Sequence, residues 1–176
     1  MSKLRIPINR NDHLLGNPNA NITLVEYGDY QCDHCGLAYP FIKRLLKQFD
    51  GELLFAFRNF PLQEAHPLAM MAALAAEAAS NQNKFWEMHD MIYENQDDLD
   101  GDNLLNYAEK LNLDLKNFTD DWKSDEMLSK IEKDFEGGVR SGVNGTPTFF
   151  INEERLNNYN GSYKSLEDAV KEMFRN

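Results

Sequence analysis

Ile22-Thr-Leu-Val-Glu-Tyr-Gly-Asp-Tyr-Gln-Cys-Asp-His-Cys35 decides the fold, because an apolar run gives way across a short loop to two cysteines that open a helix-like pattern. Ile22 to Tyr27 reads as a buried strand and Gly28-Asp-Tyr-Gln31 as the strand-to-helix loop. From Cys32 onward Leu37, Phe41, Ile42, Leu45, Leu46 and Phe49 recur at helical spacing, with Lys43, Arg44 and Lys47 on the other side. Cys32 and Cys35 are the chain's only 2 cysteines. A thiol at a helix N-terminus meets unpaired backbone N–H groups and the positive end of the helix dipole, which stabilises its thiolate. A second thiol one turn along lets the pair cycle between dithiol and disulfide, so redox exchange is the leading reading. Half a zinc site and two inert buried thiols are the alternatives. A structural zinc site needs four ligands, and His13, His34, His66 and His89 supply no second pair at recognisable spacing. No metal and no organic cofactor is expected.

On either side of this stretch the elements alternate. Ile6-Pro-Ile8 is a short extended candidate, followed by a polar turn from Asn9 to Asn21. Pro40 lies inside the first helix and should kink it, since it removes a donor and clashes with the carbonyl four residues back. Leu53 to Phe57 reads as a second strand, and Arg58-Asn-Phe-Pro-Leu62 leads out of it. From about Ala65 to Gly138 the pattern is helical. Pro67 suits a helix start, and Asn83, Asp102 and Ser124 suit the caps of helices through Ile92, Leu111 and Val139. Thr148 to Ile151 is a third strand, Arg155 to Tyr159 a fourth, and Ser165 a candidate cap of the last helix. The order is strand, helix, strand, helices, strand, strand, helix, which fits an α/β sheet with a helical insertion.

The chain has 176 residues, 42% of them hydrophobic and 27% charged, which suits a globular domain. A formal net charge of −11 argues against an electrostatic footprint for nucleic acid or an anionic membrane. No apolar run of about 18 residues is present, so no membrane insertion is expected. Behind the basic N-terminus there is no apolar stretch of about 7–15 residues. A cytoplasmic location is the expectation, or a periplasmic one if a leader has been removed. Met70, Met71, Met88, Met91, Phe85, Trp86 and Tyr93 fall at helical spacing and read as core, some of them as candidates to line an apolar groove between the insertion and the motif. Asp97-Asp-Leu-Asp-Gly-Asp102 lacks the spacing and terminal glutamate of a calcium loop and reads as a solvated connection.

Three stretches carry a family resemblance: Val25 to Cys35; Phe57-Arg-Asn-Phe-Pro-Leu62 with Ala65-His-Pro67; and Ser141-Gly-Val-Asn-Gly-Thr-Pro-Thr-Phe-Phe-Ile-Asn152. On these the chain resembles the DsbA-like branch of the thioredoxin superfamily, and especially a compact bacterial subgroup also found fused to some sodium/proton antiporters. The resemblance implies a thioredoxin fold, a mixed central sheet flanked by helices, with an inserted all-helical subdomain. Residues 1–64 and 142–176 would form the two halves of that fold, and 65–141 the insertion.

The resemblance also implies roles. Cys32 would be the exposed nucleophile and Cys35 the more buried resolving thiol. His34 would stabilise the Cys32 thiolate, whereas Asp33, where the best-known oxidases of the family have proline, would oppose it. Glu26 alone reads as a strand glutamate facing water; the resemblance implies a buried acid that relays a proton to or from the resolving thiol. Thr146-Pro147 alone reads as an ordinary turn. The resemblance implies a cis bond packed against the cysteines, leaving the backbone of Thr146 to pair with an extended substrate. Together these give a protein-disulfide oxidoreductase exchanging disulfides with protein or small-molecule thiol partners, and with a separate reductant or oxidant protein. The alternative is a redox-sensing or chaperone-like module that uses the same disulfide as a switch.

Overall fold

The computed structural model describes residues 2–175. Five strands form one mixed sheet in the order β1-β3-β2-β4-β5. At its centre β2 (Ile22–Gly28) lies parallel to β3 (Leu53–Asn59), joined by the crossover helix α1 (Asp33–Gln48). Parallel neighbours need such a crossover, and both strands are buried along almost their whole length, as their continuous apolar runs require. β1 (His13–Gly16) pairs antiparallel with the outer side of β3, β4 (Thr148–Ile151) antiparallel with the other side of β2, and β5 (Glu154–Arg155) with β4.

Five helices fall between β3 and β4: α2 (Ala69–Ser80), α3 (Phe85–Tyr93), α4 (Gly101–Lys110), α5 (Leu115–Trp122) and α6 (Asp125–Arg140). The closing helix is α7 (Tyr163–Met173). α2 is rich in alanine, and Ala72, Ala73, Ala75, Ala76, Ala78 and Ala79 are all buried. A helix apolar on every side belongs inside, and α2 packs against α3, α4, α5 and α6. Its alanines share one core cluster with Leu24, Cys35, Leu45, Phe55 and Val170. A second cluster, with Leu4, Val25, Tyr27, Ala56, Phe60 and Phe150, covers the other sheet face. Side chains alternate along a strand, so Glu26 shares its face with Leu24 and points toward the first cluster.

Register places the site. Tyr27 near the end of β2 pairs with Thr148 at the start of β4. The Thr146–Pro147 segment, just before Thr148, therefore falls beside the loop that leads from β2 into α1.

Several local expectations are corrected. Ile6 to Ile8 is not a strand: the buried Arg58 guanidinium donates to the Ile6 and Pro7 carbonyls at 2.8 and 3.1 Å and forks onto Asp12 at 2.7 and 2.9 Å, holding that segment by side-chain bonds. The first strand is instead His13–Gly16, inside the stretch read as a turn. Asn83 takes a positive φ of 58° in the turn before α3, and within the helical stretch α5 is a separate helix to which no bounds are assigned from sequence. The caps of α4 and α7 are Asp100 and Ser162, each accepting from the N–H three residues on, rather than Asp102 and Ser165. The fourth strand covers only Glu154–Arg155.

Candidate active site

Cys32 is the N-cap of α1, with extended φ and ψ of −79° and 119° and no side-chain cap. An uncapped helix start leaves backbone N–H groups unpaired beside the Cys32 sulfur, where a thiolate can draw on them. Both cysteines are free thiols. Cys35 is fully buried, but Cys32 is itself only 5% exposed rather than open. The Thr146 carbonyl oxygen accepts from the Cys32 thiol at 3.4 Å and covers it.

The two thiols differ in charge. Cys32 is lowered from 9.0 to about 5, chiefly because the Cys35 thiol donates to it; burial opposes, and the Thr146 side chain and the backbone N–H groups of Cys35 and His34 add to the lowering. Burial drives Cys35 well above 9.0, helped by its bond to Cys32 and by the Glu26 charge. One thiolate and one protected thiol is the arrangement that attack followed by resolution requires.

Cys32, His34, Thr146 and Pro147 come together here. The Thr146–Pro147 peptide bond is cis, and the Thr146 hydroxyl is buried without a partner among the described residues. A thiolate at Cys32 would give that hydroxyl an acceptor. Asp33 and His34 are exposed, and what His34 supplies to Cys32 is its backbone N–H. His34 and Leu37 line a hollow of about 260 Å³ with Thr146, Pro147, Tyr159, Asn160 and Gly161. Leu37 is 60% exposed, an apolar side chain open to a partner. The wall facing it comes from the segment before α7, whereas Phe85, Met88 and Tyr93 are packed in the core.

Glu26 is 3% exposed. Burial first, and the Cys32 charge second, push it from 4.5 to about 8. Its carboxyl borders a cavity of about 150 Å³ with Tyr39, Ile42, Phe55, Trp86, His89 and Tyr93. That space is large enough to admit water to the carboxyl.

Two further residues shape the site. Gln96 donates through Nε2 to the Tyr30 and Cys32 carbonyls at 2.8 and 3.1 Å, and a Cβ at Gly36 would run into its amide. Asp29, buried in the β2–α1 loop, accepts from the Gln31 and Leu62 N–H groups at 2.8 Å each. Gln96 carries no sequence signal, because its partners lie more than sixty residues away. Asp29 has one: an acid in a strand-to-helix turn accepts local N–H groups. Among the described residues no group of three or more His, Cys, Asp or Glu side chains gathers at metal-binding distance, and no helix is long and apolar enough to cross a membrane.

A β-α-β unit that delivers a helix-capping dithiol against a Thr-Pro loop defines a thioredoxin-fold dithiol protein. Comparison with known proteins agrees with this class. The family described as Thioredoxin matches residues 9–172. A thioredoxin-like oxidoreductase from Silicibacter pomeroyi DSS-3 superposes with a TM-score of 0.81 at 26% identity, over 96% of this chain and 95% of that one. Wolbachia pipientis alpha-DsbA1 superposes with a TM-score of 0.79 at 24% identity, over 97% and 94%. The chain belongs to the thioredoxin family. A protein named Na(+)/H(+) antiporter NhaA 1, from Salinispora arenicola, is 41% identical over 174 residues. That match takes in 97% of this chain and 26% of the antiporter, so the chain spans about a quarter of the length of such relatives.

Proposed function

We propose that this chain is a thiol-disulfide oxidoreductase acting on protein or small-molecule thiols and disulfides through Cys32 and Cys35. The observation that carries the reading is the split between them, a thiolate-forming cysteine at the start of α1 and a fully buried thiol one turn further on. In the reducing direction the Cys32 thiolate attacks a substrate disulfide, forming a mixed disulfide and releasing one substrate thiolate. Cys35 then passes its proton to the Glu26 carboxylate and attacks the Cys32 sulfur. The Cys32–Cys35 disulfide forms and the second substrate sulfur leaves as a thiolate. In the oxidising direction the steps reverse, with Glu26 protonating the departing Cys35. A carboxyl held near 8 serves both directions at neutral pH.

The Thr146 backbone and the hollow beside Leu37 would seat an extended substrate segment. A low Cys32 pKa makes Cys32 a good leaving group and the disulfide a stronger oxidant, and the adjacent Asp33 carboxylate acts against it. Thiol-dependent insulin reduction by the wild type and by Cys32→Ser tests the reading: activity should vanish in the variant, and equal activity in both would sink it. Equilibration with glutathione assigns the direction, toward an oxidase near about −120 mV or a reductase near about −270 mV. The antiporter-named relatives favour one second reading, in which the same disulfide is a switch on a transporter-linked module. That reading requires disulfide formation without turnover of any added substrate.

A further inference from the structure

The Ala65-His-Pro67 segment has no step in this exchange, yet it is fastened to the loop beneath Cys32 from both ends. His66 Nδ1 lies 2.8 Å from Asp29 Oδ2, the oxygen that also accepts the Leu62 N–H. Two residues beyond His66, the Leu68 N–H donates to Gln31 Oε1 at 2.7 Å. Asp29 passes this hold to the site, since its other oxygen accepts the Gln31 N–H and its carbonyl accepts the Cys32 N–H at 3.1 Å. The Asp29 side chain is 0% exposed and that of His66 25%, so a buried anion next to the reactive thiol has one partner that can gain or lose a proton from solvent.

We propose that His66 is a positioning residue that sets the charge of the active-site loop: protonated, it offsets Asp29 and favours the Cys32 thiolate; neutral, it keeps the same hydrogen bond and withdraws the charge. The proposal deepens the reading of Cys32 as the reacting thiol and rests on it. Because Nδ1 carries a hydrogen in the imidazolium and in one neutral tautomer, the contact survives in both states. The groups facing His66 are Asp29 in the loop and Cys32 and Asp33 at the start of α1, with Glu64 in its own exposed segment. Burial works against its proton, but Asp29, Cys32 and Asp33 outweigh burial and raise His66 above its ordinary 6.5.

Coupling between two sites is reciprocal, so whatever the Cys32 thiolate does to the His66 proton, the His66 charge does to Cys32. The test is an NMR titration of the His66 ring in the reduced wild type and in Cys32→Ser, which holds no thiolate. The His66 midpoint should fall in the variant by on the order of half a pH unit. In His66→Gln the Cys32 midpoint, followed by thiolate absorbance, should rise by the same amount. A His66 midpoint unchanged between wild type and Cys32→Ser would overturn the proposal, leaving His66 a purely structural clamp. Neither readout needs a substrate. Absence of insulin reduction with a shifted His66 would therefore count against the catalytic reading alone.

Discussion

The Cys32 thiol donates to the Thr146 carbonyl oxygen at 3.4 Å, a contact between residues 114 positions apart that closes the site from the β4 side. Beside that carbonyl the Thr146 hydroxyl is buried with no partner among the described residues. Ionisation of Cys32 removes the thiol donor and supplies an acceptor, so the hydroxyl is bonded only when the thiolate forms. Thr146→Val should raise the Cys32 midpoint by about one pH unit, the worth of a single bond to a charged group. Absorbance of the reduced protein near 240 nm, followed against pH, reads this directly.

Glu26 makes stability depend on pH. Its pKa is about 8 in the folded protein against 4.5 unperturbed, so as pH rises the unfolded chain gives up this proton first. Stability is intact below about 4.5 and declines from there to about 8. Glu26→Gln removes that dependence. At pH 7 the reduced variant should be more stable than wild type by on the order of 3 kcal/mol in urea unfolding, with the gain gone at pH 4. The same variant should resolve mixed disulfides more slowly.

Cys32 acts in the opposite sense. Its folded-state pKa of about 5 lies below the ordinary 9.0, so its contribution to the reduced protein is complete above 9.0 and is lost as pH falls through about 5. Cys32→Ser should therefore destabilise the reduced protein more at pH 8 than at pH 5. Melting temperatures of both proteins at the two values check this, and a pH-independent difference would contradict it.

Gly36 owes its identity to Gln96. A Cβ there would displace the Gln96 amide, which holds the Tyr30 and Cys32 carbonyls across the loop. Gly36→Ala should cost about 1–3 kcal/mol in chemical denaturation, since the amide can turn away only by giving up both bonds. Cys32 reactivity should change with it, because the same bonds fix the start of α1.

The strand–loop–helix carrying Cys32 and Cys35 was legible because its period and its cysteines lie in one continuous stretch. β1 was not: His13–Gly16 is a short edge strand that pairs on one side only, amid polar residues. α5 is only eight residues long, and its apolar face of Leu115, Phe118 and Trp122 is too short to stand out in the sequence. Asp100 rather than Asp102 caps α4 because it is the Asp100 backbone that is extended and the Asp100 side chain that reaches the Asn103 N–H, a distinction of dihedrals rather than residue type. Glu26 could be placed as buried only through family resemblance, since an acid in an apolar strand has two faces open to it. Gln96 and the His66–Asp29 pair were out of reach, because their partners meet only once the helices between β3 and β4 have packed.

The account stands most directly on which thiol ionises. The measurement is the pH dependence of alkylation of the reduced protein, with the modified cysteine located by peptide mapping. Cys32 should react alone, with half-maximal rate near pH 5, while Cys35 stays unmodified past pH 9. A reaction that begins only above about pH 8, or one that reaches Cys35 first, would contradict it.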